Sequence, residues 1–233
     1  MRVKLLTNSP SLHLKKEVSP TDEIITIALP KGKLFNLSAE LLKKVGWTAE
    51  GLHEKSRKLV IENKDAGLKF IITKTADVPT YVEHGAADIG IIGKDVIAEE
   101  EKNICELLDL GFGKCHLMMA VPKNKRRKRL EDYAHTRVAT KFPNIAEKFF
   151  TSHGMQMDYI KLNGSIELGP IVGLSESIVD IVETGTTLRE NNLEEIVSIM
   201  DCTARLIGNR VSCKLKYRRI DGLVTDLRKV LSD

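Results

Sequence analysis

IITIALPKGKLFNLSAELLKKVGW, residues 24–47, changes its periodicity just after Pro30. Its first part, IITIALP, is a short β-rich run of the kind that forms a buried strand. After Lys31-Gly32-Lys33, the residues Leu37, Leu41, Leu42 and Val45 recur at helical spacing, and Gly46 stands where a helix C-terminus takes a left-handed residue. The unit is strand, loop, helix, and it repeats along the chain. KLVIEN (58–63) and GLKFIIT (67–73) read as strands, VPTYVEHGA (78–86) as a helix, and ADIGIIGKDVI (87–97) as a strand running into a helix. CHLMMAVP (115–122) reads as another buried strand, RVATKF (137–142) as a strand, NIAEKFFTSHGM (144–155) as a helix ending at Gly154, and DYIKLNG (158–164) as a strand. Strands alternating with helices predict an α/β fold of βαβ units around parallel sheets.

Composition sets the outer bounds. The 233 residues, 42% hydrophobic and 29% charged, suffice for one large core or two modest ones. Lys plus Arg (36) against Asp plus Glu (32) leaves +4, a mixed surface compatible with anionic small molecules but too mild to indicate nucleic acid. No window approaches the roughly 18 to 20 continuous apolar residues of a membrane span, so a soluble chain without a membrane partner is expected. Cys105, Cys115, Cys202 and Cys213 form no Cys-x-x-Cys pair, and Cys115 and His116, as neighbours in a strand, point to opposite faces. Four reduced thiols in a cytosolic protein are the expectation. Residues 1–22 mix basic and polar residues around apolar sequence too interrupted for a signal-peptide core, and read as a flexible or loosely docked arm. In KNKRRKRLED (123–132), six cations fall within seven residues; without interleaved aromatics this reads as a solvated connection rather than a nucleic-acid patch.

The chemistry concentrates in SIVDIVETGTTLRENN, residues 177–192. A strand running into a Thr/Gly loop and then a helix start offers unpaired N–H groups and hydroxyls to one anion. Gly185 lets the backbone turn, and Thr184, Thr186 and Thr187 can donate to phosphate oxygens. The loop holds no lysine and is not the Walker pattern, so neutral donors carry the contact. Asp180 and Glu183 would repel a phosphate unless they accept from sugar hydroxyls or help hold Mg²⁺, which suggests a ribose 5-phosphate cradle. A plain capped helix start is the equal alternative on spacing alone. A second concentration is basic: Lys31, Gly32 and Lys33 after one strand, Arg57 and Lys58 before another, and Lys74 after a third. Ligands of open α/β sheets bind beyond the carboxyl ends of strands, so these cations suit a polyphosphate, although solvated surface is the commoner role of each alone. Asp88, Gly90, Gly93, Lys94 and Asp95 surround an apolar strand in a pattern suited either to close backbone approach at a cleft or to a glycine-lightened core strand.

Together, VDIVETGTTL with the upstream NGSIEL, ALPKGKL, SRKL, DVPTYVEHGAADIGIIGKDV and RVATKFPN resemble the ATP phosphoribosyltransferase family, the enzymes that open histidine biosynthesis, and its short form in particular. The resemblance runs from about Ile24 to near the C-terminus. It implies two α/β lobes of periplasmic-binding-protein-like type with the active site in the cleft between them: residues 23–112 with 203–233 as one lobe, 113–202 as the other. It implies transfer of 5-phosphoribosyl from phosphoribosyl diphosphate to N1 of ATP, with Mg²⁺ held through the substrate phosphates and no side-chain metal site. By position, Asp180, Glu183, Thr184, Gly185, Thr186, Thr187 and Leu188 match the phosphoribosyl-diphosphate loop, and Glu167 joins the ribose contacts. Lys31, Gly32, Lys33, Arg57, Lys58, Lys74, Asp88 and Gly90 match the ATP and diphosphate side, with Lys33 and Arg57 acting in catalysis. The family resemblance further implies a homodimer in which Arg57 reaches a neighbouring site, a regulatory subunit similar to histidyl-tRNA synthetase, and a cytoplasmic location. Lys33 and Lys74 stand where most relatives have Arg, which keeps the charge but loses the planar two-point grip. The rival is a non-enzymatic two-lobe binding protein for an anionic small molecule; a phosphoribosyltransferase for another base is the nearest enzymatic alternative.

Overall fold

The computed structural model describes residues 24–232; the arm expected over 1–22 lies outside them. The first half of the chain runs β1 (Ile25–Pro30), α1 (Lys33–Lys44), β2 (Val60–Asn63), β3 (Leu68–Thr73), α2 (Val78–Glu83), β4 (Ile89–Gly93), α3 (Lys94–Glu100) and β5 (Cys105–Asp109). It then passes to β6 (Cys115–Pro122), β7 (Arg137–Thr140), α4 (Pro143–Ser152), β8 (Asp158–Lys161), α5 (Leu168–Ile171), β9 (Ser177–Val182), α6 (Thr186–Glu190) and β10 (Leu193–Cys202). The return is β11 (Ala204–Gly208), α7 (Ser212–Leu215) and α8 (Tyr217–Ser232).

Two sheets result, a six-stranded one in the order β2-β3-β1-β4-β11-β5 and a five-stranded one in the order β10-β6-β9-β7-β8. The apolar run of β1 is explained by its place: it lies between β3 and β4, parallel to both, and Ile25, Ile27, Ala28 and Leu29 are fully buried. One face of this sheet packs against α1 and α8, whose buried Ile220, Leu223, Val224 and Leu227 follow helical spacing. The other face packs against Val78 and Val82 of α2 and Val96 of α3. The second sheet is likewise covered on both faces, by the cluster around Tyr133, Ile145 and Phe150 and by that around Ile166 and Leu188.

The parallel expectation is corrected. Only β1 with β3 and β4, and β7 with β8 and β9, pair in parallel; β2–β3, β4–β11, β11–β5, β6–β9 and β6–β10 are antiparallel. The reason lies in the crossings and one hairpin: β6 and β11, the strands next to the crossings, run against their neighbours, and β2–β3 is a hairpin closed by residues 64–67. The helix start expected after Gly185 is also much shorter than a stable helix: α6 has five residues before the chain enters β10.

The crossings are stitched by main-chain bonds. Leu110 N–H donates to Ala204 O, Ala204 N–H to Phe112 O and Lys94 N–H to Thr203 O, at 2.9, 2.9 and 3.0 Å. Beside them, Glu99 of α3 accepts from Asn144 N–H (3.2 Å) and Ile145 N–H (3.1 Å), so a buried carboxylate of the first lobe caps the first turn of α4 in the second. Burial pushes this carboxyl up despite the two donors. The run Lys123–Arg129 is exposed and tied locally, with Arg126 paired to Glu194, Arg127 stacked 5.2 Å from the Tyr133 ring and Arg129 paired to Asp132. No helix among the described residues is long and apolar enough to cross a membrane.

Candidate active site

Gly32 joins β1 to α1 with φ 87 and ψ −154, a backbone region that residues with a Cβ avoid. That turn starts α1 directly at Lys33, with no side chain capping its first N–H groups and no acid in its first turn. The 12-residue α1 therefore presents the positive end of its dipole, together with Lys33, at the carboxyl end of the first sheet. Parallel register sets Lys74 beside Lys31, because Pro30 pairs with Thr73 and Lys31 N–H donates to Thr73 O at 2.9 Å. Arg57 and Lys58 are exposed on the segment leading into β2. A cavity of 280 Å³ lies among Lys31, Gly32, Phe35, His53, Glu54, Ser56, Leu59 and Ile72.

The second lobe supplies the opposing wall. At the carboxyl end of β9, Gly185 takes φ 69, and residues 183–188 fold around a cavity of 330 Å³ that Glu167 and Asp180 also line. The Thr184 and Thr186 hydroxyl oxygens are 3.1 Å apart, so the pair converges on one point. Thr187 is exposed beside them. Leu188 also lines this cavity, while its side chain is buried and packs with Ile166, Ile178 and Val182, which anchors the loop.

The sequence reading missed Arg189. Its guanidinium donates to Thr186 Oγ1 at 3.1 Å and lies over Gly185, where a Cβ would meet Nη1 at 2.9 Å. The loop is thus not purely neutral: a cation lies under its hydroxyls, while the single-turn α6 contributes little dipole. The spacing of Thr186 and Arg189, three residues apart on a helical turn, was the signal that could have found it.

Asp180 enters the cavity from β9 as a largely buried carboxyl, accepting from Ile181 N–H at 2.8 Å. Burial pushes it up to about 6, and the Glu167 carboxylate adds to the shift. Glu183 faces the first lobe, where Lys33 Nζ donates to its Oε2 at 2.6 Å. This contact joins the two loops across the cleft.

Two expected site residues lie elsewhere. Asp88 precedes β4, at the amino end of the sheet, and its buried carboxylate accepts from Thr26 N–H (2.8 Å), Ser212 Oγ (2.6 Å) and Lys216 Nζ (2.7 Å). It fastens α7 and the start of α8 to the sheet, with both carboxylate oxygens engaged. Gly90 admits a close approach, but of a helix: a Cβ there would meet Val78 Cγ1 at 2.9 Å and Val82 Cγ2 at 3.0 Å. Gly93, Lys94 and Asp95 do border the crossing. Lys94 pairs with Glu106 at 2.5 Å, and burial pushes the Asp95 carboxyl up.

Cys115 and Cys202 face each other in register on β6 and β10, next to this crossing. The Cys202 thiol donates to Met200 O at 3.9 Å, and its nearness lowers the Cys115 thiol while Cys202 itself is raised.

Comparison with known proteins follows the same lines. The sequence model of the ATP phosphoribosyltransferase family matches residues 74–229. An ATP phosphoribosyltransferase of Desulfitobacterium hafniense (strain Y51) is 52% identical over 214 residues, covering 89% of this chain and 96% of that protein. Among solved structures, the ATP phosphoribosyl transferase (HisG:HisZ) complex from Thermotoga maritima has a chain 35% identical with TM-score 0.77, covering 90% of this chain and 99% of that one. The substrate binding protein of an amino acid ABC transporter superposes with TM-score 0.57 at 12% identity, covering 89% of this chain and 94% of that one, a likeness of fold alone.

Proposed function

This chain belongs to the ATP phosphoribosyltransferase family and transfers a 5-phosphoribosyl group from phosphoribosyl diphosphate to N1 of ATP, in histidine biosynthesis; we propose that it does so in the cleft bridged by Lys33 and Glu183. We assign residues 23–112 with 203–233 to one lobe and 113–202 to the other. The observation that supports this reading is the opposition of two anion-binding loops. Across the cleft, the hydroxyl-lined cavity of residues 183–188 faces the uncapped start of α1 with Lys33.

The chemistry asks for position and charge more than for a base. The N1 lone pair of adenine attacks C1 of the ribosyl group, the N1–C1 bond forms as the C1–O bond breaks, and the electron pair leaves with diphosphate. No proton has to be removed from the nucleophile. Thr184, Thr186 and Thr187, backed by Arg189, hold the 5-phosphate, while Asp180 and Glu167 accept from the ribose hydroxyls. Lys33, Lys31, Lys74 and the start of α1 meet the negative charge gathering on the departing diphosphate. Arg57, exposed on its segment, is assigned to the site of a neighbouring copy in a homodimer.

Among the described residues no cluster of His, Cys, Asp and Glu could cage a metal ion. The separate carboxylates of the cavity fit Mg²⁺ that arrives bound to the substrate phosphates, where it would supply charge neutralisation to the leaving group. As in the Thermotoga maritima complex, a second subunit is assigned to this chain, a regulatory protein similar to histidyl-tRNA synthetase. A cytoplasmic location and no nucleic-acid partner complete the reading. The rival two-lobe binding protein rests on fold likeness alone and is set aside by the family match.

The test is to combine the protein with ATP, phosphoribosyl diphosphate and Mg²⁺, with and without the regulatory subunit, and to follow phosphoribosyl-ATP. Product that disappears with Thr186→Val supports the site. No product under either condition overturns it.

A further inference from the structure

Lys141 follows β7 at its carboxyl end, and the parallel register of β7 with β9, Thr140 opposite Val179, sets it alongside Asp180. Thr140, fully buried, fixes the turn that follows by accepting from Phe142 N–H at 2.9 Å. The ammonium lies 5.9 Å from the Phe142 ring centroid, and among the described residues no carboxylate forms an ion pair with it. It is nevertheless close enough to Asp180 in its own lobe and to Asp95 in the other to favour the charged form of both.

The surroundings of Asp180 make that charge matter. Glu167, at the start of α5, opposes its ionisation. From β6 its partner is the neutral Met118. Glu183, on the same loop, is engaged with Lys33 of the first lobe. Arg189 is turned to Thr186. Favouring the ionised form of Asp180 are the Ile181 N–H, with the larger effect, and the Lys141 ammonium, alongside it in the sheet.

We infer that Lys141 is a positioning residue for phosphoribosyl transfer: its ammonium, set alongside Asp180 by the β7–β9 register, adds to the Ile181 N–H in keeping Asp180 anionic, so that this side chain only accepts hydrogen bonds and the ribose hydroxyls bind to it as donors. The inference rests on the reading of Asp180 as the ribose acceptor. A protonated Asp180 would present its own O–H to those hydroxyls and break the pattern. Burial already holds the group near 6, so the loss of a neighbouring cation moves its titration toward neutral pH.

The experiment measures kcat/KM for phosphoribosyl diphosphate across the pH range bracketing about 6, with the regulatory subunit present. Wild type is compared with Lys141→Met, Lys141→Arg and Asp180→Asn. Lys141→Met is expected to move the acid limb upward by about half to one pH unit, to raise KM for phosphoribosyl diphosphate several-fold near the limb, and to leave KM for ATP unchanged. Lys141→Arg keeps the wild-type limb. If Lys141→Met shows an unshifted limb, or a loss equal at every pH, while Asp180→Asn is inactive, the inference falls and the site reading stands. If Asp180→Asn is as active as wild type, the reading of Asp180 itself falls.

Discussion

Lys33 Nζ and Glu183 Oε2 lie 2.6 Å apart although their residues are 150 positions apart in the chain, and the pair spans the cleft from the first turn of α1 to the loop after β9. Each group faces where the proposed ligand of the other lobe would lie. With side chains 72% and 52% exposed, the pair is a weak tie of about 0.2 to 1 kcal/mol, which a multiply charged diphosphate can displace. On the proposed reading, Glu183 occupies the place of the diphosphate at the start of α1.

Substitutions separate the two roles. Lys33→Met is expected to weaken inorganic diphosphate binding in calorimetry and to lower kcat by roughly a hundredfold to a thousandfold, the range for one preorganised donor. Glu183→Gln removes the competing carboxylate and should tighten diphosphate about two- to fivefold. Diphosphate binding unchanged in both variants would remove Lys33 from the leaving-group site.

Asp180 predicts a conflict between stability and function. Its carboxyl is raised from 3.8 to about 6 by burial, so between those values the folded state holds a proton that the unfolded chain has lost. Stability therefore falls as pH rises from about 4 to about 6 and stays lowered above it. Asp180→Asn removes the buried charge and should raise stability near pH 7 by about 1 to 3 kcal/mol while abolishing transfer. Thermal melts at pH 4 and pH 7.5 check the sign: the gain should shrink at about the lower pH.

Cys115 should react ahead of Cys202 and Cys213. Cys202, opposite it on β10, lowers Cys115, whereas burial pushes Cys213 up to about 11 and Cys202 is both buried and raised. Brief alkylation with iodoacetamide at neutral pH, followed by peptide mapping, should mark Cys115 ahead of Cys202 and Cys213. Equal labelling of Cys115 and Cys213 would contradict the geometry.

Glu99 couples the lobes. Its carboxylate satisfies two N–H groups at the start of α4, and Asn144 Nδ2 returns a bond to Glu99 O at 2.8 Å. Glu99→Ala leaves the buried Ile145 N–H without its acceptor and should cost about 1 to 3 kcal/mol. Because the loss falls on the joint and not on either core, urea unfolding should broaden or split into two steps. A single transition at the wild-type midpoint would show that the crossings alone hold the lobes together.

The residues themselves explain what was legible beforehand. The β1–α1 unit declared itself through a short β-rich run and helical spacing, and Gly46, just past the end of α1 at Lys44, takes φ 78. β10 was hidden because it pairs only with β6, as an edge strand, and only Leu193 and Cys202 at its two ends are fully buried. Asp88 and Gly90 look in sequence like a ligand-binding strand. Their use, an anchor for α7 and a seat for α2, depends on neighbours far along the chain.

By itself the sequence determined the alternation of elements, the Thr/Gly loop with its preceding acids and the basic turn after β1, because periodicity, turn chemistry and charge are properties of neighbouring residues. Only the tertiary structure decided that the sheets are mixed, that Arg189 lies under the loop, that Asp180 is buried enough to be raised, and that Lys33 faces Glu183. Strand direction, burial and cross-cleft distance are set by where the chain crosses between sheets, and contacts made across 150 residues leave no mark in local pattern.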